Sequence, residues 1–228
     1  MVIKRYKEKG EKMHQIIGLQ GLQGAGKNTV YNIINENFQH VYHVSFGSGV
    51  KDVVAVMFKW PRNLLEGDTV ESREWRETPD EFWTNKLGKP FTPRLAMQWF
   101  ATDIVRNQLS SNFWVDYAEQ SFKEIWDKDP EADIFVTDVR FPNEINMIRK
   151  NGGQIWFVAC GDLPEWFEDA KRYNQDRKQP LPKSLEKVHQ SERDWIGITN
   201  PDVVIHPKIK GLDLLQKLVL QTYQGKRK

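Results

Sequence analysis

The sequence predicts an α/β fold with a mostly parallel sheet. Two observations carry this. Short apolar runs alternate with stretches of helical periodicity along most of the chain. The first of those runs, Ile16 to Gln20, ends in a glycine-rich turn that opens directly into a helical pattern. At 228 residues the chain suits one domain, or one domain carrying an inserted lobe, and it is long enough to bury a core without staples.

The elements follow in order. After the glycine-rich turn, Val30, Ile33, Ile34 and Phe38 recur at helix spacing. Val41 to Phe46 reads as a second strand and Val50 to Phe58 as a helix beginning near Gly47-Ser48-Gly49. Residues 60–92 are polar, proline-bearing and rich in Glu, Arg and Trp, and read as an inserted lobe or long loop. Pro93 opens a helix that runs to about Leu109. The next helix places Val115, Ala118, Phe122, Ile125 and Trp126 on one face. Asp133 to Thr137 is a buried strand ended by Asp138. Glu144 to Lys150 is a short helix stopped by Gly152-Gly153, and Gln154 to Ala159 is a strand. Residues 161–195 read as irregular, basic and lid-like. Val203 to Ile205 is a last strand, and Leu212, Leu215 and Val219 mark a closing helix. Trp99, Trp114 and Trp126 fall at helical spacing and are expected in the core.

Composition excludes several classes. With 33 basic and 31 acidic residues the net charge is +2, too small for a dedicated DNA-binding protein. A single cysteine, Cys160, rules out a disulfide within the chain and points to a reducing cytosol; it reads as a strand-end residue. No apolar run approaches the ~18 residues of a membrane span. Met1 to Lys12 is charged, lacks an apolar segment and reads as a frayed leader, not a signal peptide.

Gly21-Leu22-Gln23-Gly24-Ala25-Gly26-Lys27-Asn28-Thr29 matches the phosphate-loop pattern G-x-x-x-x-G-K, between a strand and a helix as that pattern requires. Glycines let the backbone curl so that successive N–H groups face phosphate oxygens, and the helix N-terminus adds its positive end. Lys27 would span the β- and γ-phosphates of ATP. Where a Mg²⁺-ligating hydroxyl is usual, this chain has Asn28, so the metal would be held weakly by the amide or through water. The spelling of the loop resembles that of adenylate-kinase-like nucleoside monophosphate kinases. That resemblance implies a P-loop NTPase three-layer α/β fold with an inserted acceptor-binding segment and a lid.

Ile134-Phe135-Val136-Thr137-Asp138 brings a carboxylate to a strand end beside that loop. Asp138 either orients the Mg²⁺ hydration shell or caps the next turn. Arg140 either clamps a phosphate or pairs with Glu144. Arg94 and Gln98, four apart, share a helix face that suits a nucleotide or is merely solvated. Asp103, Glu144, Lys51 and Arg73 are further substrate candidates; Asp103 is open to a surface pair with Arg106, Glu144 to capping a helix start, and Lys51 and Arg73 to ordinary surface or ion-pair roles. Arg172 and Arg177, in the basic stretch, suit a lid that closes over the transferring phosphoryl group, or a solvated charged loop. Catalysis is thus expected from Lys27, Arg140, Arg172 and Arg177.

Three stretches together resemble the bacteriophage deoxynucleoside monophosphate kinases. They are Gly24 to Thr29; Thr92-Pro93-Arg94 with Gln98 and Thr102-Asp103; and Thr137-Asp138-Val139-Arg140-Phe141-Pro142-Asn143-Glu144, the most specific. His189-Gln190-Ser191-Glu192 resembles a further family segment. The resemblance implies ATP·Mg²⁺ as donor, a 2′-deoxynucleoside 5′-monophosphate as acceptor, diphosphates for phage DNA synthesis, and a homodimer in the host cytoplasm with no stable nucleic-acid binding. Asn28 departs from the aspartate expected most often there. A kinase for another small phosphorylated metabolite, or an ATPase coupled to nucleic acid, are the alternatives.

Overall fold

The computed structural model describes residues 14–159, 162–205 and 211–226. The expectations for Cys160 and for the charged N-terminus lie outside those residues. The chain divides into two compact units, one built from the chain up to Ser45 and again from Glu119, the other from Phe46–Ala118.

The first unit holds a five-stranded sheet in the order β2-β3-β1-β4-β5, all parallel. The strands are β1 (Ile16–Gln20), β2 (Val41–Val44), β3 (Asp133–Val136), β4 (Gln154–Val158) and β5 (Val203–Ile205). β1 and β3 are buried along their whole length, as strands covered on both faces must be. One face packs Ile17, Leu19, Phe135 and Trp156 against Val30, Ile33 and Ile34 of α1 (Lys27–Asn37) and Val219 and Tyr223 of α10 (Leu212–Lys226). The other face takes α7 (Pro142–Lys150), whose Ile148 lies so close to β1 that a Cβ on Gly18 would come within 2.6 Å of it. The chain leaves β1 toward one edge and returns to the other after β3. The crevice at the carboxyl ends of β1 and β3 is therefore the switch point where such sheets bind ligands.

Residues 162–195, expected as irregular, contain α8 (Phe167–Gln175), a 3₁₀ turn at Lys183–Leu185 and α9 (Gln190–Arg193). The apolar anchors in and just after this stretch are sparse but buried: Ala170, Leu185, Trp195 and Ile196. Charged neighbours dilute those anchors in the sequence, which hides the pattern.

The second unit is helical. It comprises α2 (Ser48–Phe58), a 3₁₀ turn at Arg62–Leu65, α3 (Val70–Glu77), α4 (Glu81–Leu87) and α5 (Pro93–Gln98). α5 continues without a break into a π-helix, Trp99–Leu109. α6 (Phe113–Lys128) begins in this unit and ends in the other. Residues 60–92 are thus a folded lobe and not a loop. The reason is aromatic: Phe58 stacks on Trp60 at 4.6 Å and meets Trp83 and Phe91 edge-on or tilted at 5.2 and 5.3 Å. Trp60 donates its indole N–H to Asp80 (2.8 Å), and Asp80 caps α4 by accepting the Trp83 backbone N–H (2.8 Å). Trp114 and Trp126 are buried as expected, but Trp99 is 36% exposed. The wider π turn starts at Trp99 and breaks the 3.6-residue period on which its inward placement rests.

Candidate active site

The loop after β1 has the backbone its glycines allow. Gly26 is left-handed (φ 87°) at the N-cap of α1, where no side chain caps the helix, so the first-turn N–H groups are not spent on one. Gly21 passes so close to β4 that a Cβ would lie 2.2 Å from the Val158 carbonyl oxygen. Lys27 curls back and donates to the carbonyls of Gly21 and Leu22, both at 2.9 Å. Ala25 is buried, whereas Asn28 is exposed and Thr29 half-buried on the first turn of α1. Gly24, also left-handed, is exposed.

Register places the loop after β3 at the same end of the sheet, since Gly18 pairs with Val136. There Ser45 donates to Asp138 Oδ2 at 2.7 Å, and His43 Nε2 lies 2.7 Å from Thr137 Oγ1. Both bonds tie the end of β2 to the end of β3. Glu144 is buried and accepts the backbone N–H groups of Arg140 (2.7 Å) and Phe141 (3.0 Å), so its role is to close the turn into α7. Of the two roles open to Arg140, the ion pair with Glu144 is not what holds the guanidinium. Arg140 Nη1 instead donates to Glu192 Oε1 (2.5 Å) and the Ser191 carbonyl (3.2 Å) on α9.

Lys27, Arg140, Asp138 and Glu192 thereby form one cluster of two cations and two carboxylates. Burial, and next the Arg140 charge, push the Lys27 ammonium down to about 7, against the opposing pull of Glu192 and Asp138. Arg140 is held above its ordinary value: burial works against its charge, and Glu192 and Asp138 more than offset that.

The other predicted residues fall elsewhere. Arg172 is exposed and pairs with Asp169 one turn away; Arg177 donates to Asn174 Oδ1 (2.9 Å) and lies 3.5 Å from Asp194. Neither is brought to Lys27 by a contact among the described residues. In the second unit Lys51 donates to Glu66 Oε2 at 2.5 Å, and Arg62 binds the same carboxylate and Asp52. Glu66 is held below its usual range by Lys51 and Arg62, against the effect of its burial. Arg94 pairs through Nε with Glu77, Gln98 is half-buried on the same helix, and Asp103 and Arg73 are exposed. Arg76 turns inward to the carbonyls of Leu65 and Glu66. Nothing local in the sequence marks Ser45 or His43 for the phosphate side, and Glu192 stands out only within the His189-Gln190-Ser191-Glu192 stretch, which suits loop structure or a substrate contact equally.

Comparison with known proteins meets this geometry. The model of the deoxynucleotide monophosphate kinase family matches residues 66–170. A protein of Acanthamoeba polyphaga mimivirus, itself provisionally assigned as a deoxynucleotide monophosphate kinase, is 27% identical over 147 residues, 61% of this chain and 71% of that one. The resemblance to deoxynucleoside monophosphate kinases holds. The crystal structure of TT1252 from Thermus thermophilus superposes with a TM-score of 0.50 at 13% identity, covering 94% of this chain and 98% of that one, and so shares the fold. These matches support an enzyme of the nucleotide monophosphate kinase class. Among the described residues no helix is long and apolar enough to cross a membrane.

Proposed function

We propose that the protein transfers the γ-phosphoryl group of ATP to a 2′-deoxynucleoside 5′-monophosphate, giving the diphosphate. One observation carries this reading: Lys27, in the loop after β1, shares a single charge cluster with Asp138 and Arg140, from the loop after β3. That is the charge arrangement an in-line transfer between two phosphates requires.

The acceptor phosphate oxygen is already anionic, so no general base is needed. The chain has to bind, align and neutralise. Backbone N–H groups of Gly24 to Thr29 would receive the β-phosphate, and Lys27 would exchange its carbonyl partners for β- and γ-oxygens. Arg140 would meet the charge that spreads over the transferring group. Mg²⁺, when bound, supplies positive charge across the same phosphates. Asp138, fixed by Ser45, and the exposed Asn28 amide are the oxygen donors that would hold it, through its water shell. In the second unit Arg94, Gln98 and Asp103, with Lys51 and Arg73, are the proposed acceptor contacts. Arg94 spends only Nε on Glu77, so its terminal nitrogens suit a phosphate. Arg172 and Arg177 would have to leave Asp169 and Asp194 to act as a lid. We further propose a cytoplasmic homodimer without stable nucleic-acid binding; a solution mass equal to one 26.8 kDa chain would reject the dimer.

The deciding experiment is ATP-dependent phosphorylation of a panel of four deoxynucleoside monophosphates, their ribo counterparts and phosphomevalonate, with single-stranded DNA as an ATPase stimulant. Diphosphate from the deoxy set supports the reading. ATP hydrolysis with no phosphorylated acceptor rejects it.

A further inference from the structure

We infer that Glu192 is a positioning residue of the phosphate site: with the Ser191 carbonyl it holds one edge of the Arg140 guanidinium and presents the other edge to a phosphate. The inference rests on the kinase reading.

The geometry is specific. Arg140 Nη1 carries two hydrogens, and both are spent, one on Glu192 Oε1 (2.5 Å) and one on the Ser191 carbonyl (3.2 Å). Among the described residues no side-chain bond is made by Nε or Nη2. Those two nitrogens form the edge that grips a phosphate or carboxylate bidentately. A guanidinium left to solvent would sample many rotamers, and fixing it at the moment of reaction would cost entropy. Held by α9, it is set beforehand, which is the condition for charge stabilisation in a transition state.

α9 is itself fixed. His189 Nδ1 lies 2.8 Å from Ser191 Oγ and 3.3 Å from its backbone nitrogen. Asn174 of α8 donates to the carbonyls of Arg193 (2.6 Å) and Ile196 (2.9 Å). Trp195 packs on Phe157 of β4 at 5.9 Å and on Phe167 at 6.1 Å. The carboxylate therefore stands on the sheet and not on a free loop. The segment expected to reach the phosphate site with arginines reaches it with a glutamate, while its arginines pair with Asp169, Asn174 and Asp194. A carboxylate beside a phosphate site is tolerable because it is matched one-to-one by Arg140, and its remaining field favours the charged form of Lys27.

The test uses the whole protein and five variants: Glu192→Gln, Glu192→Asp, Arg140→Lys and the doubles Glu192→Gln/Arg140→Lys and Glu192→Asp/Arg140→Lys. Glu192→Gln keeps an acceptor oxygen and drops the charge. It should lower kcat about tenfold while the ATP KM changes less than about threefold, because the lost interaction orients a group used in the transition state. Glu192→Asp should recover part of that loss. In the Arg140→Lys background the same change should cost no more than about twofold, since the two residues act as a unit. Equal losses in both backgrounds, or an unchanged kcat in Glu192→Gln, would overturn the inference. Melting temperatures separate misfolding, and if Glu192→Gln does not fold, the Glu192→Asp cycle decides. Failure of the wild-type protein to phosphorylate any acceptor would sink the kinase reading instead. Calorimetric binding of inorganic tripolyphosphate then reads the same cycle: any change of affinity in Glu192→Gln that vanishes once Arg140 is Lys supports the positioning role, and the same change in both backgrounds rejects it.

Discussion

At the scale of single residues the site is governed by Lys27. Its ammonium is half-buried beside Arg140 and titrates near 7 in the free protein, against an ordinary value of 10.5. Bound phosphates would restore its charge. ATP binding should therefore take up a proton between about pH 7 and the lysine's ordinary range, and affinity should fall as pH rises through that window and level off below it. Calorimetry in buffers of different ionisation enthalpy reads that proton directly. Lys27→Met should lose both the uptake and the pH dependence; uptake that survives the substitution belongs to another group. The sign for stability is opposite. Over the same window the unfolded chain holds more protons than the folded one, so this residue's contribution to stability grows with pH. Lys27→Met should also cut kcat by two or more orders of magnitude, the scale of losing a charged donor to a developing anion, with the fold retained by circular dichroism. Ser45→Ala is a subtler case. It removes the hydroxyl that donates to Asp138 at 2.7 Å, and should raise the Mg²⁺ concentration for half-maximal activity several-fold without moving the Lys27 proton uptake. An unchanged Mg²⁺ dependence would detach Asp138 from the metal.

Elements were legible in the sequence where their reason is local. The phosphate loop follows from glycine conformations and a strand-to-helix change of period, and the structure has the strand, the left-handed Gly26 and the helix at those positions. The helix after β3 is legible from Glu144 onward, but it begins two residues earlier, with Pro142 at the first helical position. What stayed hidden is non-local. Ser45 and Asp138 are 93 residues apart, and Arg140 and Glu192 are 52 apart; only the parallel pairing of β2 with β3 and the folding of α9 onto β4 bring them together. The π-helix at Trp99–Leu109 was hidden for another reason: its side chains read as an ordinary helix, and only the wider turn, with Ser110 N–H bonded to the Val105 carbonyl, reveals it. Glu144 gives the test at this scale. It is buried and satisfies two backbone N–H groups, so Glu144→Ala should cost roughly 2–4 kcal/mol, the price of leaving both unpaired. Glu144→Gln keeps one acceptor oxygen and should cost less. Denaturant unfolding measures both, and equal costs would mean that the carboxylate acts through something other than these two bonds.

For the whole molecule the division into two compact units separates the two halves of the proposed chemistry. The phosphate loop, Asp138, Arg140 and Glu192 belong to the unit built around the sheet; Lys51, Arg73, Arg94, Gln98 and Asp103 belong to the helical unit. Each has its own core, the sheet packed on α1 and α10 in one and the Phe58–Trp60–Phe91 aromatic group in the other. A ligand that binds only folded protein raises its stability by about 2.7 kcal/mol at a hundred times Kd. ATP and a deoxynucleoside monophosphate should therefore each raise the melting temperature when added alone. Lys27→Met should shrink the shift from ATP and leave that from the monophosphate intact, because no residue proposed for the acceptor lies in the phosphate loop. Arg94→Ala should do the reverse. If Lys27→Met removed both shifts, the monophosphate would be bound by the phosphate loop itself, and the acceptor role assigned to the helical unit would be wrong while the ATP role of the loop would stand.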